Sequence, residues 1–74
     1  MTAAEKLALI NKALDQGRTV YLGTQLRAYK LTARVRERWA ATGRPVIKVS
    51  ASGSLMLGEG RRYVCADYCS ITID

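Results

Sequence analysis

The chain has 74 residues, 49% of them hydrophobic and 24% charged, with 12 Lys and Arg against 6 Asp and Glu and no histidine. A chain this short forms one domain and buries only roughly 60% of the surface its unfolded form exposes, which leaves little room for a deep catalytic cleft. No apolar run approaches the ~18 residues of a membrane span and the N-terminus lacks a secretory pattern, so a soluble cytoplasmic protein with no membrane partner is expected.

Thr2 followed by Glu5 has the spacing of a capping box. Leu7, Ile10 and Leu14 then recur at helical intervals until Gly17, a natural residue just past a helix end. This predicts an amphipathic first helix. "RTVYL" after it is β-branched and aromatic and reads as a strand, broken at Gly23-Thr24. "QLRAYKL" reads as a second extended piece, with Leu26 and Ala28 alternating with Arg27 and Tyr29.

Thr32 is placed to cap a second helix from Ala33 to Thr42, which Gly43 and Pro45 terminate. Val35 and Trp39, four residues apart, share one face of it. "VIKVS", "LML", "RRYVCAD" and "SITI" read as strands separated by "ASGS", "GEG" and a short link. The expected architecture is α+β: a small antiparallel sheet of three to five strands against two helices, in the order α-β-(β)-α-β-β-β. The whole chain, 1–74, is one domain.

The missing histidine removes the usual general base, metal ligand and partner of a nucleophilic Cys or Ser. The six acids are scattered, so no carboxylate pair suggests acid–base chemistry, and no catalytic residue, cofactor or metal site is expected. "LGEGRR" has the glycines of a phosphate loop but lacks both the Lys-Ser/Thr pair and the following helix. A β-turn explains it.

The two cysteines of "CADYC" have no second ligand pair for zinc. Along a strand Cys65 and Cys69 would lie roughly 13 Å apart, against the ~7 Å limit of a disulfide, unless residues 66–68 turn. Reduced thiols packing as small apolar groups are expected. With no phenylalanine, the aromatic volume of the core should come from Trp39, Tyr63 and Tyr21, leaving Tyr29 as the exposed ring beside Arg27 and Lys30.

The positive charge is local. Between Arg18 and Lys48 stand eight cations and a single anion, Glu37, whereas residues 1–17 are neutral and residues 49–74 carry −1. A contiguous basic third implies a negatively charged partner. Arg34 and Arg38 share a helix side, with Glu37 in reach of Arg34, but Arg36 points about 200° away from Arg34. The helix also lacks the Asn or Gln that read base edges, so sequence-specific groove recognition is not expected. Arg27, Lys30, Arg34, Arg36, Arg38, Arg44 and Lys48 are the candidate partner-binding residues.

The runs "GRTVYL" (17–22), "GRPVIKV" (43–49) and "SLMLGEGRRYVCADYCSITI" (54–73) resemble small accessory proteins encoded by bacteriophages and prophages. These share a helix, a "GRTVY"-like strand, a helix ending in Gly and a final strand of the G-R-Y-x-C-x-D-Y type. Compact phage proteins of this style are similar to the anti-CRISPR class, which has no common motif or fold. The resemblance implies a non-enzymatic inhibitor in the cytoplasm of a bacterial host, binding a CRISPR effector complex and blocking its engagement with target DNA.

Many such inhibitors are acidic DNA mimics, and a +7 central block cannot imitate a phosphate backbone. The expected partner surface is therefore an acidic face of an effector subunit, its guide RNA or its target DNA. A rival expectation is a small basic module acting directly on DNA or RNA. A thiol-dependent redox or metal protein ranks last.

Overall fold

The computed structural model describes residues 1–25 and 27–74; Leu26, which the alternation of the second extended piece includes, lies outside the described residues. The element order is α1 (Ala3–Asp15), β1 (Val20–Gly23), β2 (Ala28–Leu31), α2 (Ala33–Ala40), β3 (Ile47–Val49), β4 (Leu55–Glu59), β5 (Arg62–Cys65) and β6 (Ser70–Ile73). The fold is α+β, with "SITI" as the added last strand.

Helix α1 begins in the expected reciprocal cap. The Glu5 N–H donates to Thr2 Oγ1 at 3.1 Å and the Thr2 N–H donates to Glu5 Oε1 at 3.0 Å. The bond from Thr2 stabilises the carboxylate and lowers the Glu5 pKa. At the other end Gly17, with φ 75°, lets its own N–H reach Leu14 O and that of Arg18 reach Ala13 O. These two bonds form a Schellman closure that satisfies otherwise orphaned carbonyls. Between the caps the helix buries Ile10, Ala13 and Leu14.

The six strands form two three-stranded antiparallel sheets, ordered β2-β1-β6 and β3-β4-β5. In the first, Val20 lies opposite Leu31 and Ile73, and Leu22 opposite Tyr29 and Ile71. That register puts the large aliphatic residues and Tyr29 on one face and turns Tyr21, Ala28, Lys30 and Thr72 to the other. In the second, Ile47, Leu57 and Val64 share the inward face, while Lys48, Met56, Gly58, Tyr63 and Cys65 share the outward one. The β4–β5 hairpin turns on two residues, Gly60 and Arg61. Gly60 has φ 62° and Arg61 has no positive φ, the pattern of a type II′ turn.

Helix α1 contacts β1, β3 and β4, so it packs against both sheets. The fully buried side chains are Ile10, Leu14, Val20, Leu22, Leu55 and Leu57. The core is thus aliphatic, which corrects the expectation that aromatic rings would fill it. Trp39 and Tyr63 are only half-buried, Tyr21 is exposed, and Tyr29 is the half-buried ring rather than the exposed one. The registers explain the exchange between the two tyrosines. Tyr29 pairs with Leu22 and faces inward, whereas Tyr21 pairs with Lys30 and faces out.

Helix α2 is two residues shorter than its expected extent. Thr32 Oγ1 accepts the Val35 N–H at 3.2 Å, and Gly43 with φ 82° reverses the chain after the helix. No α2 residue is fully buried; Val35 and Trp39 pack against the margin of the core. Two more long-range ties join the layers. Asp67, in the turn after β5, accepts the Leu55 N–H at 2.6 Å, and its carbonyl accepts from Lys6 Nζ at 2.5 Å.

Candidate functional site

The seven candidate cations do not act as one surface. Two are held by intramolecular acids, and these are the two ion pairs among the described residues. Arg27 meets Glu59 at 2.9 Å and lies 5.0 Å from the centroid of the Tyr29 ring. The Tyr29 hydroxyl donates to the other oxygen of Glu59 at 2.8 Å, and that bond to a carboxylate raises the Tyr29 pKa. Arg36 meets Asp15 at 2.6 Å and also donates to Asn11, so it fastens α2 to α1. Both guanidiniums are structural links.

Arg34 is exposed and makes no ion pair with Glu37 among the described residues. Lys30 is exposed on the outward face of the first sheet, away from the other cations in register. The remaining three, Arg38, Arg44 and Lys48, come together on the outward face of the second sheet.

That face is organised by Trp39 and Tyr63. The indole lies over Gly58, where any Cβ would meet it at 2.4–2.8 Å, so only glycine lets α2 approach β4 this closely. Tyr63 lies directly across from Gly58, its ring centroid 6.1 Å from that of Trp39 and tilted by 50°. Its hydroxyl donates to Pro45 O at 2.6 Å, which anchors the segment leading into β3.

The two rings in turn position the cations. Arg44 Cζ stands 5.1 Å from the Trp39 centroid and 5.0 Å from that of Tyr63; Lys48 Nζ stands 4.1 Å from Tyr63. A cation over an aromatic face is attracted by the ring quadrupole, by roughly 0.5–2 kcal/mol according to its exposure. The effect here is to hold two flexible side chains in place without neutralising them. A shallow cavity of about 370 Å³ adjoins the cluster, lined by Arg38, Trp39, Thr42, Arg44, Gly60 and Arg61.

None of those lining residues is acidic. Two carboxylates adjoin lining residues in sequence: Glu59 alternates onto the opposite face of β4 and is occupied by Arg27 and Tyr29, and Glu37 is exposed on α2 and does not line the cavity. Three guanidiniums, an ammonium and two rings therefore form a surface that attracts anions and offers them multiple N–H donors. With cations already over both rings, the surface favours phosphate or carboxylate contact over base stacking.

Sequence reasoning placed Arg38, Arg44 and Lys48 here but missed Arg61, and it assigned Trp39 and Tyr63 to the core. Arg61 belongs to a segment with net negative charge, and only the tight Gly60-Arg61 turn delivers it to the cavity. The sequence placed the turn at "GEG", but Gly58 and Glu59 continue β4 as partners of Tyr63 and Arg62, and the turn falls on Gly60-Arg61.

A second cavity of about 370 Å³ is lined by Thr24, Gln25, Tyr29 and the segment from Val64 to Cys69. Both cysteines are free thiols, Cys65 exposed and Cys69 buried. The Cys65 thiol donates to Asp67 Oδ2 at 3.4 Å. Burial raises the Cys69 pKa, while the bond from the Leu55 N–H lowers that of Asp67. Among the described residues no three His, Cys, Asp or Glu side chains form a group able to hold a metal ion. No described helix is long and apolar enough to cross a membrane.

Comparison with protein families, with curated proteins and with solved structures finds no match to this chain.

Proposed function

We propose that this protein is a non-enzymatic binding protein whose partner presents phosphates to the outward face of the second sheet. The observation that carries this reading is the convergence of Arg38, Arg44 and Arg61 on a cavity with no acid in its lining, with Lys48 beside Arg44 on the Tyr63 ring. Its resemblance to phage accessory proteins supports a more specific role, that of an anti-CRISPR-type inhibitor. Docked on a CRISPR effector complex, the cationic face would cover guide-RNA phosphates or hold target DNA out of register. Target engagement would then be blocked without any chemical step.

The experiment is co-purification with guide-loaded effector complexes, together with phage plaquing on CRISPR-active hosts. Capture of a complex and restored plaquing, both lost in an Arg38→Ala/Arg44→Ala/Arg61→Ala variant that still folds, are expected. Absence of both in the wild type would sink the inhibitor role.

Direct action on free DNA or RNA is the second reading, favoured by the three arginines and the lack of any acid in the cavity lining. It is separated from the first by affinity for nucleic acid without an effector, which should fall steeply with salt.

A further inference from the structure

The outward face of the first sheet has a composition that the cationic site does not explain. Tyr21 stands on the central strand between Lys30 and Thr72, and the next rung is Gly23 between Ala28 and Ser70. All of these except Gly23 are exposed, and a Cβ at position 23 would come within 2.7 Å of Ser70 Oγ. One aromatic ring thus stands beside a shelf of very small residues, with one cation next to it.

Tyr68 lies in the turn that leads into β6, at the end of the sheet beyond Ser70, and is 95% exposed; Tyr21 is 39% exposed. The other two tyrosines are half-buried with bonded hydroxyls. Tyr68 lies outside the strands and lines a cavity with Tyr29, Cys65 and Asp67, so Tyr21 is the exposed ring of this sheet face. A chain with no phenylalanine and an aliphatic core gains little stability from rings left in water.

A flat ring, a low shelf and an adjacent ammonium match the faces, sugars and phosphates of an unpaired strand. Every base has a π-face that stacks on an aromatic side chain, and exposed sheets are used this way for single strands. A duplex keeps its base faces stacked internally and offers only phosphates and groove edges. The net charge of +6 complements such a ligand. We infer that the outward face of β2-β1-β6 binds single-stranded nucleic acid, with one base on Tyr21 and a phosphate at Lys30.

This inference rests on the reading that the partner is nucleic acid or a nucleoprotein. The test is anisotropy of short labelled oligothymidylate, oligouridylate and a blunt duplex, at low salt, with wild type, Tyr21→Ala, Tyr21→Phe and Arg44→Ala, all checked for folding by circular dichroism. Tyr21→Ala should weaken single-strand binding about tenfold. Duplex binding should stay unchanged in that variant, and Tyr21→Phe, which keeps the ring, should bind as wild type.

Wild-type affinity in Tyr21→Ala with a loss in Arg44→Ala would overturn the sheet site and leave the phosphate-binding reading intact. Capture of an effector complex with no affinity for any free single strand would also overturn the sheet site alone. Loss of a wild-type dimer in Tyr21→Ala, seen by sedimentation, would overturn it by assigning the face to a second copy of the chain. No binding to any oligonucleotide or complex would remove both readings.

Discussion

The indole of Trp39 rests on Gly58, in contact so close that a methyl group at position 58 would stand 2.4 Å from the ring. This single approach sets where α2 lies on the second sheet and where Arg44 finds its aromatic support. Gly58→Ala should therefore overpack the site and cost about 1–3 kcal/mol of stability. Chemical denaturation with tryptophan fluorescence would show both the lowered midpoint and the displaced indole.

Arg36 and Arg44 stand in the same basic block but have different work. Arg36→Ala removes a partly exposed tie to Asp15 and Asn11, and about 0.2–1 kcal/mol of stability should go with it. Partner affinity should not change. Arg44→Ala should do the reverse, weakening anion binding several-fold while thermal unfolding stays near that of the wild type. Paired melting and binding curves would separate the two roles.

Salt dependence counts the phosphates engaged. For duplex DNA, log K should fall against log salt by about 0.9 per phosphate neutralised. Arg38→Ala and Arg61→Ala should each reduce that slope by about one phosphate. Arg27→Ala should leave it unaltered, because Glu59 already neutralises Arg27. Equal slopes for all three variants would contradict the assignment of the cavity.

Asp67 and Cys69 contribute to the pH dependence of stability in opposite ranges. The lowered pKa of Asp67 means that the folded state holds its proton more weakly than the unfolded chain does. Its stabilising contribution is present above the ordinary carboxylate range and is lost as pH falls through the depressed value. Asp67→Asn should flatten this acid limb. Cys69 is raised, so its contribution is present below the ordinary thiol range and declines as pH climbs through the raised value. In a thiol-reagent assay Cys65 should react promptly at neutral pH, and Cys69 only as the protein unfolds.

What the sequence by itself determined is local. Thr2 with Glu5, the spacing of Leu7, Ile10 and Leu14, and Gly17 specify α1 because caps and helical periodicity act within a few residues. The β-branched runs, the existence of a tight turn near "GEG" and the crowding of positive charge before Lys48 are legible for the same reason. Tertiary structure alone decided that β6 leaves the last meander to pair with β1, that Tyr21 faces water while Tyr29 does not, and that Arg27 and Arg36 are spoken for by Glu59 and Asp15. It also brought Arg61 to Arg38 and Arg44. Most of these are relations between residues far apart in the chain, settled by which apolar faces must be buried together, and no local pattern of residues records them.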